Sequence, residues 1–478
     1  MSNIAFKYIR TSLLLLLSLA GVSPLIAQDR QKRVVGIGSR VYTLPTDEAD
    51  ALEFIYRAIP LSDYMLYTPE FMLKDIRSSL RAKHDMPWAN AVPEQIWLHY
   101  VLPSRVDSEY LDNFRSSYYP ELKDRVAGLS MKQAATELAR WLRERVEVEH
   151  VEGRISSPKS TILNAGGDSY ELAILTIAAL RALDIPARLV YPQNDPEVSV
   201  VQAWIDGKWY TYNPFEPDST TSSATLCALV YGDYTGSEKV LSHNKRISEI
   251  EVENAPVLSL EKGNMSAMEQ SLLDAYTSTF FGEKHSPLPM AEINVRFNVY
   301  AMRVAKMLQR AKGNWNRIYD FLAAVDPDRL PEAVTMLELL SDNNLQDTSV
   351  RILTATLNNT EPDMSDPLYV QYILNPEISD EMLTDYRQTM HAAGSTGSLM
   401  SIEEIIRAAR AITIDNDGNT YSVPITPTEV WKHGRADSHS RDIYFVAQCR
   451  NNYIPARLNP TTLTPQYHDG TEWKDVNL

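Results

Sequence analysis

Two stretches of the chain place residues with the types needed for nucleophilic chemistry in the same order. Each carries a serine, a glutamine and an asparagine, which are Ser169, Gln202 and Asn213 in the first and Ser438, Gln466 and Asn477 in the second. A serine can act as a nucleophile only when a general base takes its proton. Glutamine is an uncharged amide and cannot serve as that base. The pattern therefore indicates a nucleophile position without the machinery to activate it.

The two stretches resemble each other beyond these residues. Residues 168–189 and 437–458 align without a gap, and 10 of the 22 aligned positions are identical. Each begins with Asp-Ser, and an arginine, Arg181 or Arg450, stands twelve residues after the Ser. Each ends with Ile-Pro-Ala-Arg-Leu, and the downstream Gln, Trp and Asn keep the same spacing in both. The sequence therefore predicts two copies of one small module.

These motifs carry a family resemblance. Gly167-Asp-Ser169, a predicted apolar helix, the Ile-Pro-Ala-Arg188 run, Gln202-Ala-Trp204 and Trp209 to Asn213-Pro214 resemble the transglutaminase-like branch of the papain-type cysteine enzymes. The resemblance covers residues 85–235, and residues 271–478 are similar to the C-terminal half of multidomain secreted bacterial members. It implies an α+β fold in which a helix packs on an antiparallel sheet. A second, partial module of the same kind follows at the C-terminus.

The resemblance also implies what the chain lacks. The family has Cys, His and Asp where this chain has Ser169, Gln202 and Asn213, so the positions match but the catalytic groups are replaced. One interpretation is a Ser-Gln-Asn network that satisfies buried polar atoms. A second is a retained cleft that binds peptide or glycan, with polar and aromatic surface from Asp168, Tyr170, Trp204, Trp209 and Tyr212. A third is residual chemistry at Ser169.

Two functions follow as hypotheses. The first is a catalytically inactive transglutaminase-like protein that acts as a binding or scaffold module for a peptide, a glycan or a protein partner. The alternative is an active hydrolase or acyl transferase that uses Ser169 with a base from outside the family pattern; the candidates are His150, His433, His439 and His468. Arg188 and Arg457 are expected to anchor carboxylates or carbonyls rather than substrate.

Composition narrows the partners and the compartment. The net charge of −16 disfavours nucleic acid as a partner. Residues 1–27 have the basic start, apolar run and small-residue end of a signal peptide, so we expect export to the periplasm or beyond the cell. No later stretch reads as a membrane span, and the spacing of histidines indicates neither a metal site nor a cofactor. Cys227 and Cys449 could pair or stay as buried thiols.

The coarse organisation follows from apolar periodicity and capping signals. Capped helices are predicted to begin at Ser130 and Ser401, and Asp206-Gly207 predicts a hairpin turn. Residues 415–419 resemble a calcium loop but lack its last ligand, so we predict a turn there. The predicted divisions are a signal peptide (1–27), a mainly helical region (28–129), module 1 (130–235), a linker (236–270), a helical region (271–400) and module 2 (401–478).

Overall fold

The computed structural model describes residues 31–151, 153–195, 198–215, 225–232, 234–244, 246–260, 288–360, 363–393 and 399–478. The predicted signal peptide lies outside these ranges. The chain up to Asp50 and the chain from Ala51 onward form two compact units. The first unit holds an antiparallel hairpin of β1 (Lys32–Ile37) and β2 (Arg40–Pro45), followed by the start of helix α1 (Thr46–Ala58).

The second unit opens with helices. These are the rest of α1, then α2 (Leu61–Leu66), α3 (Pro69–Asp85), α4 (Glu94–Tyr100), α5 (Phe114–Arg125) and α6 (Met131–Arg143). The predicted capping box at Ser130 is confirmed, because its Oγ accepts from the Gln133 amide at 3.4 Å while Gln133 Oε1 accepts from the Ser130 amide at 3.0 Å. Helix α6 buries its apolar face, including Ala134, Leu138 and Leu142.

A helix packed on an antiparallel sheet follows. Its elements are β3 (Glu147–Val148), α7 (Pro158–Asn164), β4 (Gly166–Gly167), α8 (Ser169–Ala182), β5 (Ala187–Pro192), β6 (Val200–Ile205), β7 (Lys208–Thr211), β8 (Leu226–Tyr231), β9 (Val240–His243) and β10 (Ile247–Val252). Strands β3 and β4 pair in parallel, and the others form one antiparallel sheet in the order β7-β6-β5-β8-β10-β9. Helix α8 packs on β5 and β6. The predicted hairpin turn is confirmed, since Asp206 and Gly207 have φ values of 49° and 92°, as a type I′ turn requires.

The prediction of a linker over residues 236–270 is wrong for its described part. Residues 240–243 and 247–252 are strands β9 and β10, and β10 pairs with β8 over six residues. In β10, charged residues alternate with buried apolar ones. Ile250 and Val252 are buried, while Glu249 and Glu251, which precede them, are half-buried. A half-buried strand of this kind reads as polar and irregular when the alternation is not counted. The antiparallel sheet that contains β5 to β8 therefore also includes β9 and β10.

The residues described after the gap at 261–287 form a series of helices up to residue 393. Its helices are α9 (Met290–Phe297), α10 (Ala301–Arg310), α11 (Trp315–Ala324), α12 (Leu330–Glu338), α13 (Asp342–Asp347), α14 (Val350–Asn358), α15 (Pro367–Tyr369) with a π-helical continuation (Val370–Leu374), and α16 (Tyr386–Ala393). Helix α9 ends at Phe297, because Asn298 has a φ of 44°, which a right-handed helix does not allow. These helices share an apolar core that includes Val304, Phe321 and Leu337.

The C-terminal part repeats the order of elements seen around α8. It consists of α17 (Ile402–Arg410), β11 (Thr413–Ile414), α18 (Pro427–His433), β12 (Arg435–Ala436), α19 (Ser438–Asn451), β13 (Ala456–Leu458), β14 (Pro465–His468) and β15 (Trp473–Asp475). The two short strands β11 and β12 pair in parallel, and β13, β14 and β15 form an antiparallel sheet. The predicted capping box of Ser401 with Glu404 is confirmed. Residues 415–419 form the predicted turn, in which Asp415 Oδ1 accepts from the Gly418 amide at 3.1 Å.

The middle helices contact both similar parts of the chain. Asn164, at the end of α7, donates through Nδ2 to Gln346 Oε1 at 3.0 Å, and Asn343 donates to the Arg154 carbonyl at 2.9 Å. On the other side, the Arg450 guanidinium donates to the carbonyls of Asn375 and Glu377, the first at 2.9 Å. The two parts are therefore joined through the helical region.

Candidate functional site

Ser169 stands at the first position of α8, and the reason is the residue before it. Asp168 is the N-cap, and its Oδ1 accepts from the amides of Tyr170 at 2.9 Å and Glu171 at 2.8 Å. The Glu171 carboxylate returns to the Asp168 amide at 3.2 Å, which completes a reciprocal capping box. Glu171 is buried, and burial raises the pKa of its carboxyl. This cap leaves Ser169 exposed at the positive end of the helix dipole.

A cavity of about 220 Å³ opens beside Ser169. Four pieces of backbone line it: the first two turns of α8, β3, the segment leading into β6, and the residues after β7. The lining residues are Val148, Ser169, Tyr170, Leu172, Ala173, Thr176, Val198, Ser199, Val200, Val201, Asn213, Pro214 and Phe215. Ser169 and Asn213 therefore share one cavity, as their matched positions predict. Asn213 Oδ1 accepts from the Phe215 amide at 3.0 Å, which holds the segment after β7 in a turn.

Gln202 does not join them. Its Oε1 accepts two hydrogen bonds from the Arg188 guanidinium, from Nε at 3.0 Å and from Nη2 at 2.8 Å. Its Nε2 donates to the Glu253 carbonyl at 3.0 Å, and the side chain is buried. The expectation of a Ser-Gln-Asn network is therefore wrong, because Gln202 is fully engaged with a neighbouring strand and does not line the cavity.

The residues that do face Ser169 from the strand side come earlier in the sequence. Val198, Ser199, Val200 and Val201 line the cavity immediately before Gln202. A base acting on Ser169 from this strand would have to stand on that segment, whose side chains are apolar or carry only a hydroxyl. The sequence comparison had placed the base position at Gln202, because spacing along a strand does not tell which side chain reaches a neighbouring helix.

The aromatic residues proposed for a cleft divide in the structure. Tyr170 lines the cavity, and burial together with the nearby Asp107 carboxylate raises the pKa of its hydroxyl. Trp204 and Tyr212 are buried, and the Tyr212 hydroxyl donates to the Ala135 carbonyl at 2.8 Å. Trp209 lies under the Arg188 guanidinium, 3.9 Å from it. Of the five cleft residues predicted, Asp168 caps the helix and Tyr170 lines the cavity. Trp204 and Tyr212 belong to the packed interior, Trp209 is half-buried under Arg188, and none of these three lines the cavity.

Arg188 and Arg457 make matching sets of contacts. Arg457 donates through Nε to Gln466 Oε1 at 2.9 Å and stacks over Trp473 at 4.1 Å, as Arg188 does with Gln202 and Trp209. A tyrosine hydroxyl also accepts from each guanidinium. Tyr100 accepts from Arg188 at 3.4 Å, and Tyr372 accepts from Arg457 at 3.2 Å. The prediction of a structural role for these arginines is supported, although their main acceptor is a side-chain amide rather than a carboxylate. Each cluster combines charge-assisted hydrogen bonds with a cation–π contact.

The second serine has different surroundings. Asp437 caps α19 and accepts from the Ser440 amide at 3.0 Å, while the Ser438 amide donates to Asn416 Oδ1 at 2.8 Å. Gln466 also donates to Asp475 Oδ1 at 2.6 Å. The backbone carbonyl of Asn477 accepts from the Arg410 guanidinium at 2.7 Å. Gln466 is thus paired as Gln202 is, and Ser438, Gln466 and Asn477 form no common network in the described residues.

The histidines suggested as outside bases have other partners. His439 Nε2 lies 2.7 Å from Asp380 Oδ1, and this carboxylate raises the pKa of the imidazole. His433 lies 3.6 Å from Glu429, and His468 Nδ1 accepts from the Gly470 amide at 3.2 Å. His150 is exposed. Within the described part of the chain, no imidazole makes a hydrogen bond with Ser169 or Ser438.

Other reactive groups are not placed for chemistry at this site. Cys227 and Cys449 are unpaired and buried, which settles the open question of a disulfide, and burial raises the pKa of both thiols. Over the ranges described, no cluster of His, Cys, Asp and Glu could hold a metal ion. No described helix is both long and apolar enough to cross a bilayer.

Of the described lining residues, the sequence predicted only Ser169, Tyr170 and Asn213 as site residues; Val198 and Thr176 are among those it missed. Thr176 interrupts the apolar run of α8, and that interruption was a readable signal. Val198 could be found only from the fold.

Comparison with known proteins gives one match. The sequence model of the transglutaminase-like superfamily matches residues 121–214, which span α6, α8 and the β5–β7 strands. No curated protein and no solved structure matches the chain. The matched region holds Ser169, the cavity and Asn213, and the chain carries a transglutaminase-like domain.

Proposed function

We propose that this chain is an exported, catalytically inactive transglutaminase-like protein that binds a peptide, glycan or protein partner at the cavity beside Ser169. One observation carries the proposal. The described lining of this cavity consists of hydroxyl, amide and apolar groups, so none of these groups can take a proton from Ser169. Ser has almost no ionised fraction near neutral pH, unlike Cys, so it stays unreactive without a base.

The arrangement that remains suits binding better than chemistry. A preformed concave site with an apolar lining and a few polar groups is the usual form of a ligand pocket. The exposed valines Val148 and Val198 at its lining offer apolar surface that a partner could cover. The rigid N-terminus of α8, fixed by the Asp168 capping box, supports one wall of the cavity.

We further propose that residues 401–478 are a second, partial transglutaminase-like module. The shared order of elements, the matching Arg-Gln-Trp clusters and the aligned Asp-Ser helix starts support a duplication. Export is supported by the composition of residues 1–27 alone.

The test is to restore the missing groups at positions that the structure selects. The variant S169C/V198H/N213D places a thiol, an imidazole and a carboxylate around the cavity, whereas S169C/Q202H/N213D is the matched control with the histidine inside the Arg188 cluster. Both are compared with the unaltered chain for hydrolysis of chromogenic peptide amides and for incorporation of a fluorescent primary amine. Activity only in the first variant supports a disarmed site.

Activity in the unaltered chain that S169A abolishes would contradict the proposal. It would favour the alternative of a serine enzyme with a base outside the described lining. A separate case is the second serine, Ser438, which is followed in the sequence by His439, paired with Asp380. Activity of that origin would survive S169A and be lost in H439Q, whereas activity at Ser169 would be unchanged in H439Q.

A further inference from the structure

The described lining of the cavity beside Ser169 includes a buried hydroxyl that makes no hydrogen bond. Thr176 is fully buried and lines the cavity, and its Oγ1 has no hydrogen-bond partner. Buried hydroxyls in folded proteins are nearly always satisfied, because leaving one unpaired costs the free energy of its lost hydration. A ligand group that reaches Thr176 would recover that cost.

The second similar helix shows that the fold does not require this residue. Thr176 stands eight residues after the capping Asp168, and Phe445 stands eight residues after Asp437. Helices α8 and α19 both contain 14 residues. Phe445 is fully buried and packs in an apolar cluster with Ile425. One helix therefore fills this position with an aromatic ring, and the other leaves a hydroxyl beside a cavity.

The size and lining of the cavity define what fits. A cavity of about 150 Å³ lined by apolar side chains holds a benzene molecule, whereas pockets for drug-sized ligands begin at about 300 Å³. At about 220 Å³, this cavity suits one ring-sized group. Its described lining includes no charged side chain, so a charged group entering it would lose hydration without gaining a counter-charge.

We propose that the cavity binds an uncharged, ring-sized side chain of a peptide partner, whose single polar atom pairs with the Thr176 hydroxyl. A phenol group, as in tyrosine, has this form. The proposal rests on the proposed function, because it assumes that the cleft binds rather than cuts, and it narrows the ligand from peptide, glycan or protein to a peptide segment with a neutral aromatic side chain. Sugars are disfavoured, because Thr176 is the only polar residue in the buried part of the described lining, so most hydroxyls of a sugar ring would stay unpaired there.

The experiment is a calorimetric titration of the purified full chain with three probes: p-cresol, toluene and benzoate. N-acetyl-tyrosine amide and N-acetyl-phenylalanine amide then test whether a peptide group carries the same preference. We expect p-cresol to bind about tenfold more tightly than toluene, the effect of one buried hydrogen bond. We expect benzoate to bind at least tenfold more weakly than p-cresol.

Two variants assign the effect to the cavity. T176V keeps the volume and removes the hydroxyl, so the preference for p-cresol over toluene should disappear. T176F copies the ring at Phe445 and should abolish binding of all three probes, with circular dichroism to confirm the fold. Equal binding of p-cresol to T176V and the unaltered chain, comparable binding of benzoate, or no binding of any probe would each overturn the proposal. None of these probes is a substrate, so such a failure leaves the separate turnover test of an inactive site unaffected.

Discussion

Replacing Gln202 with leucine tests whether this residue belongs to the reactive site or to the scaffold. The change removes the acceptor of two hydrogen bonds from the Arg188 guanidinium, at 3.0 and 2.8 Å, and the donor to the Glu253 carbonyl at 3.0 Å. Arg188 is only 3% exposed, so water cannot replace what is lost. We therefore expect Q202L to destabilise the chain.

The magnitude follows from the bonds that remain. A hydrogen bond to a charged group contributes about 1.5–3 kcal/mol, and a buried charged donor left without an acceptor costs still more. Arg188 keeps its contact with the Trp209 ring at 3.9 Å and a long hydrogen bond to Tyr100. It also keeps an ion pair with Glu238 at 3.8 Å, and together these contacts offset part of the loss. The expected loss in the free energy of unfolding is about 3 kcal/mol.

The assay is urea unfolding followed by far-UV circular dichroism, with Q466L as the matched control. Gln466 accepts one described hydrogen bond from Arg457, at 2.9 Å, and donates to Asp475, which is exposed. Since water can hydrate Asp475, Q466L should cost about 1–1.5 kcal/mol. Two results together would refute the assignment of Gln202 to the scaffold. Q202L would lower the free energy of unfolding by less than about 0.5 kcal/mol, and it would change the binding of probes at the cavity.

Three further predictions concern caps, pH and thiols. D168A should lower the free energy of unfolding by about 1 kcal/mol in a urea titration, because it removes the acceptor for two amides at the start of α8. The Asp380 carboxylate raises the pKa of His439, so this pair stabilises the fold below the ordinary imidazole pKa of 6.5 and the contribution is lost as pH rises through the higher folded value. Thermal midpoints of H439Q and the unaltered chain should therefore differ more at pH 6 than at pH 9, and equal differences would count against the pair. Cys227 and Cys449 should resist a thiol reagent at pH 8 in the folded chain and react at two equivalents in urea, since both are buried and burial raises their pKa.

Local signals in the sequence predicted much of the fold. The capping boxes at Ser130 and Ser401 and the Asp206-Gly207 turn each have a short-range cause, because the residues that form them lie within a few positions of one another. Strands β9 and β10 were missed, since their place beside β8 depends on distant pairing.

The site was only partly predicted, because its geometry also depends on contacts between residues distant in the sequence. Ser169 and Asn213 do share a cavity, but Gln202 belongs to a buried cluster with Arg188. A strand residue faces its neighbours according to register, and one shift in register moves a side chain to the other face. Alternation alone would not separate Val198 from Gln202, which are four residues apart; only the fold shows that the segment before β6 lines the cavity while Gln202 pairs with Arg188.

A longer similarity within the chain also went unnoticed. Residues 100–111 and 372–383 share Tyr, Leu and Glu at equal spacing. In both, the glutamate caps the amides three and two residues before it: Glu109 accepts from Val106 and Asp107 at 2.9 and 2.8 Å, and Glu381 accepts from the corresponding amides at 2.9 Å each. The same segments receive the guanidinium groups of Arg181 and Arg450. The proposed duplication therefore extends upstream of the region first aligned.

The most direct test of an inactive site is the reactivity of the serine itself. A fluorophosphonate probe labels serine hydroxyls that a neighbouring base activates, and peptide mass spectrometry locates the label. The unaltered chain is incubated with the probe at pH 7 and pH 8, with a serine hydrolase as the positive control. Because the described lining of the cavity holds no group that could act as a base on Ser169, we predict no label on Ser169 or Ser438, while the control enzyme is labelled to completion. Stoichiometric labelling of either serine would contradict this account.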